Sequence, residues 1–263
     1  QRQMCIRDSA YTQLLVATCH KRGAHAIGGP AAVNPTLQDE ERRLRALNAV
    51  RAEKEREASE GFDGSWVAHP ALVETCLQAY AGVLGDKHDQ RDVIRPVNVT
   101  AADLVSLDGV QQTISLQGVR TNVSVALRYL AAWIGGRGAV LIDYLMEDAA
   151  TVEISRAQLW QWLYHESQLA EGPFVTRDLL DRVVDEEMAK LTRGLDDKHT
   201  ERYQQARGIL EETAFGDYLP GFFTTYAYVR YLIDSPLRLS GPLDKEDVRQ
   251  SEKVPAMAGT PAA

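Results

Sequence analysis

The chain has 263 residues, 44% of them hydrophobic, enough for one large core or two ordinary ones. Lys and Arg total 29 against 37 Asp and Glu, a net charge of −8, which excludes a basic nucleic-acid surface or a polybasic membrane patch. The three cysteines, Cys5, Cys19 and Cys76, lack CxxC spacing, so neither a disulfide framework nor a thiolate zinc site is expected.

Residues 1–9 lack the apolar segment of a signal peptide, and no apolar run reaches membrane-spanning length, so the expected compartment is the cytoplasm. Over residues 10–20, Tyr11, Leu14, Leu15 and Thr18 recur at helical spacing, and Lys21-Arg22-Gly23 ends the helix. A short strand is expected at 24–27, running into Gly28-Gly29-Pro30. Residues 37–60 are dense in Glu, Arg, Lys, Ala and Leu, with Leu44, Leu47, Val50 and Lys54 on one side, the pattern of a long, largely exposed helix. Gly61-Phe62-Asp63-Gly64 ends it, and 65–68 reads as a second, buried strand. Strand, helix, strand is one βαβ unit, and a helix over 71–84 packs back on it. A closed eight-fold barrel takes about 250 residues. This stretch is therefore either a small α/β piece or the end of a barrel begun upstream.

The charged segment 86–96 ends in Pro96 and is expected to be a boundary. Helical periodicity then marks 101–107, 122–134, 148–165, 177–193, 197–212 and 218–233, with one short strand at 140–144. Residues 235–263, rich in Pro, charge and small side chains, read as a disordered tail.

Gly135-Gly136-Arg137-Gly138 is glycine-rich, but a phosphate cradle follows a strand and opens a helix, and here that order is reversed. It is expected to act as a flexible hinge. No Ser-His-Asp arrangement or HExxH run is present, and Cys19-His20 has no third partner. His20, His25 and His69 read as hydrogen-bonded packing residues rather than ligands. More chemistry lies in Leu145-Met146-Glu147-Asp148-Ala149-Ala150-Thr151, where two carboxylates sit between a strand and a helix. Asp148 is placed to cap that helix through the N–H of Ala150 or Thr151. The same place suits a general base, because a helix N-terminus favours negative charge and a base must be ionised. The residues alone leave cap and base both open.

The runs Asn122-Val123-Ser124-Val125-Ala126-Leu127-Arg128-Tyr129-Leu130, Leu145-Met146-Glu147-Asp148-Ala149-Ala150-Thr151-Val152-Glu153-Ile154-Ser155-Arg156 and Gln158-Leu159-Trp160-Gln161-Trp162 resemble the C-terminal domain of the malate synthase family in its shorter, A-type form. Cys19-His20-Lys21-Arg22-Gly23-Ala24-His25-Ala26-Ile27-Gly28-Gly29 and Asp63-Gly64-Ser65-Trp66-Val67-Ala68-His69-Pro70 are similar to the last barrel strands of the same family. The resemblance spans residues 10–233 and implies an α/β fold, the incomplete C-terminal portion of a TIM (β/α)8 barrel followed by a mainly α-helical C-terminal domain. The implied division is a non-native leader over 1–9, the last βα units of a barrel over 10–96, a helical plug domain over 97–234 and the tail.

The resemblance also implies an acyltransferase of the glyoxylate bypass, condensing acetyl-CoA with glyoxylate and water to give malate and CoA with Mg2+. Asp148 falls on the aspartate of the family's Met-Glu-Asp run, whose implied role is the base that removes the acetyl methyl proton. Pro70 matches the proline after the last barrel strand and is implied to line the acetyl-CoA pocket. The family's catalytic Arg and its magnesium ligands come from earlier barrel strands. No metal ligand is therefore assigned here, Glu147 and Glu153 included, and the chain alone is expected to be inactive. Its expected partners are acetyl-CoA and glyoxylate, without nucleic acid or membrane; a monomer fits, with the oligomeric state left open. Two other readings stand beside this one. The chain is a non-catalytic helical interaction module in which Asp148 only caps a helix, or a related lyase acting on a malyl-CoA-type thioester.

Overall fold

In the computed structural model, which describes residues 6–35, 39–108 and 113–233, the chain divides into two units between Gln112 and Thr113. The first opens with α1 (Ile6–Lys21), which starts ahead of the expected Ala10 and is turned at its end by Gly23 at φ +68°. β1 (Ile27–Ala31), α2 (Glu40–Glu60) and β2 (Gly64–Val67) follow. The strands pair in parallel, Ile27 opposite Gly64 and Ala31 opposite Val67, so the βαβ unit forms as read. Asp39 caps α2 by accepting the N–H groups of Glu41 and Arg42. Gly61 ends it at φ +113°, where a Cβ would lie 2.8 Å from the Val16 side chain. A 3-10 turn (Pro70–Leu72) leads into α3 (Val73–Leu84), and Thr100 and Asp103 form a capping box for α4 (Ala101–Val105).

Both strands differ from expectation. β1 begins at Ile27 rather than Ala24, because Asp63 engages Ala26 first. Its carboxylate accepts the Ala26 N–H at 2.7 Å, and its own N–H donates to the Ala26 carbonyl at 2.8 Å. Gly28-Gly29-Pro30-Ala31 then runs extended despite low strand propensity, held by its pairing. β2 was expected to be buried, yet Trp66 is 53% exposed. Among the described residues β2 pairs only with β1, so a strand patterned for burial keeps an open edge.

Buried polar groups tie this unit together. Asp63 Oδ2 also faces His20 Nε2 at 3.0 Å, Asp63 Oδ1 accepts the Gln90 N–H at 2.8 Å, and His20 Nδ1 lies 3.0 Å from the Val93 carbonyl. The fully buried Lys54 donates to the Gly29 carbonyl at 2.7 Å and to Glu57 Oε1 at 2.9 Å. Glu57 lies so close to β1 that a Cβ on Gly28 would sit 2.2 Å from its Oε2, so a larger residue there would have to displace the Glu57 carboxylate from Lys54. Burial pushes the Glu57 carboxyl above the usual carboxylate range, against the pull of Lys54. His25 pairs with Asp89 at 3.2 Å, and His69 accepts the Ala71 N–H at 3.1 Å. All three histidines are thus hydrogen-bonded. Through Gln90, Val93 and Arg95, whose guanidinium donates to the Ser59 carbonyl at 2.7 Å, residues 86–96 are fastened to the first unit. The division therefore falls at Gln112, beyond the expected boundary at 96, and α4 packs on α1 inside the first unit.

The second unit is built on α5 (Leu116–Ile134), ten of whose nineteen residues are buried. It starts before the expected Asn122 because Ser115 accepts the Gly118 N–H at 3.1 Å and the Glu171 carboxylate accepts that of Leu116 at 3.1 Å. Around it pack α6 (Ala149–Tyr164), α7 (Arg177–Leu191) and α8 (Asp197–Ala214). Their Val152, Leu159, Leu180, Val183, Ile209 and Leu210 join Val123, Leu127 and Leu130 in one core. A single strand was expected at 140–144; the segment instead forms the antiparallel pair β3 (Val140–Ile142) and β4 (Leu145–Glu147). The last expected helix, over 218–233, begins only at Phe223 as α9 (Phe223–Ala227) and continues as a π-helical turn (Tyr228–Ile233). Arg156, 1% exposed, explains the late start: it donates to the carbonyls of Pro220 and Gly221, which a helix from 218 would have used, and also to that of Thr213 in the last turn of α8. The tail expected at 235–263 lies outside the described residues.

Removing Asp63 would leave the Ala26 and Gln90 N–H groups and His20 without their acceptor in the interior. Asp63→Ala is expected to cost about 3 kcal/mol or more in urea unfolding of the chain. A loss below about 1 kcal/mol, the worth of an ordinary surface pair, would contradict this account of the first unit.

Candidate functional site

Asp148 stands where β4 ends and α6 begins, in extended conformation (φ −129°, ψ −172°). Its Oδ1 accepts the Ala150 N–H at 2.9 Å, one of the two donors named from sequence. The residue is exposed, and among the described residues no other donor is recorded to it. Both ends of the hairpin before it are attached to α5. The Tyr129 hydroxyl donates to the Gly138 carbonyl at 2.8 Å at the entry to β3. At the turn, Arg128 Nη1 meets Asp143 Oδ2 at 2.9 Å. Burial pushes the Tyr129 phenol up to about 12, and the negative charge of Asp148 adds to the effect. That charge therefore acts on the α5 face from which the hairpin is held.

Gly135-Gly136-Arg137-Gly138 is not the free hinge expected from composition. Gly135 caps α5, the Gly136 N–H donates to the Trp133 carbonyl at 2.9 Å with φ +88°, and Gly138 is held by Tyr129. Sequence reading missed three parts of this site: Arg128 and Tyr129 as anchors, and β4 as a strand. The turn between the strands is Asp143-Tyr144, with neither Gly nor Asn to signal it.

The resemblance implies a magnesium ion, but the carboxylates around Asp148 are engaged within the fold. Thr151 donates its hydroxyl to Glu147, Arg156 and the Phe223 N–H occupy Glu153, and Arg128 holds Asp143. Among the described residues no group of three or more His, Cys, Asp or Glu converges to hold a metal. These residues do not fit a magnesium centre.

Pro70 lies in the first unit, exposed, at the first position of the 3-10 turn after β2, where its missing N–H costs nothing. A cavity of about 550 Å³ runs along β2 and α3, lined by Trp66, Val73, Cys76, Leu77 and Tyr80 among others. Pro70 is not in its wall. Asp148 and Pro70 thus belong to different units. No helix among the described residues is long and apolar enough to cross a membrane.

Comparison with known proteins is specific. The family description "Malate synthase, TIM barrel domain" matches residues 3–107, and "Malate synthase, C-terminal" matches 113–231. The first match includes residues 3–9, ahead of where the sequence resemblance began, and the gap between the two coincides with the division of the units. The chain is similar to the malate synthase of Streptomyces clavuligerus, 46% identical over 224 residues, covering 84% of this chain and 41% of the relative. Malate synthase A of Escherichia coli (strain K12) is 40% identical over 225 residues, covering 84% and 42%. The glyoxysomal malate synthase of Ricinus communis is 40% identical over 235 residues, covering 86% and 41%. The chain spans about two fifths of the length of these relatives.

The cap geometry makes a prediction separate from any chemistry. Asp148→Ala should cost about 1 kcal/mol of thermal or urea stability, whereas Asp148→Asn should stay within a few tenths, because Asn caps as well as Asp. Equal losses in both variants would show that Asp148 does more for the fold than cap α6.

Proposed function

The chain is homologous to malate synthases over residues 3–107 and 113–231, and on that premise we propose that it supplies the base of an acyltransferase that condenses acetyl-CoA with glyoxylate. The observation that carries this reading is the setting of Asp148. It is an exposed carboxylate at a helix N-terminus, aimed by a hairpin, on the aspartate of the Met-Glu-Asp run.

The chemistry asks for such a group. A thioester α-proton is weakly acidic, so its removal needs an ionised base in direct reach and stabilisation of the enolate that forms. A carboxylate at the N-terminus of a helix, with one oxygen on the Ala150 N–H, is fixed in direction by the cap. In the proposed sequence Asp148 takes a proton from the acetyl methyl group, and the C–H electron pair becomes the enolate. The enolate carbon bonds to the glyoxylate aldehyde carbon as the C=O π pair moves onto oxygen, and that oxygen takes up a proton to give malyl-CoA; water then adds to the thioester carbonyl and the thiolate leaves with a proton, giving malate and CoA. Enolate stabilisation and the magnesium ion fall to groups outside this chain. Pro70, exposed at the end of β2, is proposed to line the acetyl-CoA pocket.

The second reading, a helical module in which Asp148 only caps, rests on the cap bond itself. The two separate in a full-length enzyme made by splicing this chain in place of the matching two fifths of the Streptomyces clavuligerus relative. Asp148→Asn keeps the cap and removes the base, so malate formation should fall by about 100-fold or more while acetyl-CoA still binds. Turnover near that of the parent would leave the cap as the only role of Asp148. For Pro70→Ala the expected result is a KM for acetyl-CoA raised a few-fold with kcat retained; an unchanged KM would remove Pro70 from the pocket.

A further inference from the structure

The turn that leads to Asp148 is in an unfavourable conformation. Asp143 and Tyr144 have φ of +47° and +67°, both in the left-handed region, and neither is glycine. Each such residue strains the backbone, less for Asp than for Tyr, and persists only where its surroundings impose it. A two-residue hairpin turn of this kind ordinarily uses Asn-Gly or Asp-Gly. Something here must hold the backbone in place.

The restraint comes from α5. The Arg128 side chain is only 10% exposed, and it meets Asp143 at 2.9 Å while Asp143 sits in the strained turn. One residue on, Tyr129 holds the Gly138 carbonyl at 2.8 Å, so one helical turn of α5 grips the hairpin at its entry and at its tip. Each strand is three residues long, with Val140 opposite Glu147, Leu141 opposite Met146 and Ile142 opposite Leu145. A hairpin this short has little side-chain packing to define its register. A slip of one residue would reverse every side chain of β4 and rotate the residue that follows it. That residue is Asp148.

We propose that Arg128 is a positioning residue which, through Asp143, latches the hairpin turn and thereby sets the direction of the Asp148 carboxylate. The proposal rests on the reading of Asp148 as the base, but the latch itself is a property of the fold and can be tested apart from it. Arg128 touches no reacting atom in this account. It replaces the glycine that such a turn would ordinarily use with an ion pair, which fixes one geometry where glycine would permit several.

Two measurements decide it. In the chain itself, native-state hydrogen exchange should show the amides of β4 and Ala150 exchanging about tenfold faster or more in Arg128→Met, with those of α7 and α8 unchanged. Unchanged exchange in the hairpin overturns the latch, and so does equal acceleration throughout the unit, which would make Arg128 a general stabiliser. In the spliced full-length enzyme, Arg128→Met should lower kcat about tenfold or more at unchanged KM for acetyl-CoA, because a misaimed base loses rate without losing substrate. Arg128→Lys, which keeps the charge, should recover part of that loss. A raised KM with normal kcat, or no recovery by Lys, overturns the positioning role. If Asp148→Asn retains full turnover while Arg128→Met still loosens the hairpin, the base reading fails and the latch stands.

Discussion

A helix buried over most of its circumference has to be enclosed by others, and that constraint on α5 shapes the second unit. Ten of its residues are buried, and α6, α7 and α8 all lie against it. Its C-terminal half also carries the two polar groups, Arg128 and Tyr129, that hold the β3–β4 hairpin. The carboxylate at the end of that hairpin is thus tied, through the hairpin, to the central buried helix of the unit. The buried guanidinium of Arg156 on α6 also ties backbone together. With Glu153 it fastens the segment from Thr213 to Phe223, where backbone carbonyls would otherwise lack partners.

The first unit solves a different problem. Two parallel strands and their helices enclose little apolar volume, and its two clusters of buried hydrophobic residues are small. Cohesion comes in large part from Asp63, which binds backbone and side chain across three segments, and from Lys54, whose charge is met by Glu57 and the Gly29 carbonyl. Removing one partner of such a buried network is costly, because the groups left behind stay desolvated and unpaired. Trp66, Val73 and Leu77 remain exposed along β2 and α3. An open parallel strand flanked by apolar side chains is the pattern of a sheet that continues, in keeping with a barrel of which this unit forms part.

Asp148 combines a structural and a proposed chemical role without conflict between them. The cap uses one oxygen of an exposed carboxylate and fixes the side chain at the positive end of α6. The neighbouring carboxylates are each committed elsewhere: Glu147 to Thr151, Glu153 to Arg156, Asp143 to Arg128. That division leaves Asp148 as the acidic group of the segment whose partner is only a backbone amide.

Much of the fold was legible in the residues. The βαβ order, the long exposed α2 with Gly61 at its end, Asp148 as the cap of α6, and the helices α7 and α8 follow from apolar spacing, cap residues and glycine placement, all of which act within a few residues along the chain. The misplacements have one cause. β1 begins only at Ile27 because of Asp63, α9 starts late because of Arg156, and the 86–96 segment joins the first unit because of His20, Asp63 and Ser59. The Asp143-Tyr144 turn exists because Arg128, fifteen positions earlier, holds it. The sequence by itself determined which segments are helices, which carboxylate caps α6 and which family the chain resembles, since these depend on local pattern. Only the tertiary structure decided where the strands pair and how Asp148 is aimed, because those depend on charges brought together from distant positions, and local periodicity carries no record of them.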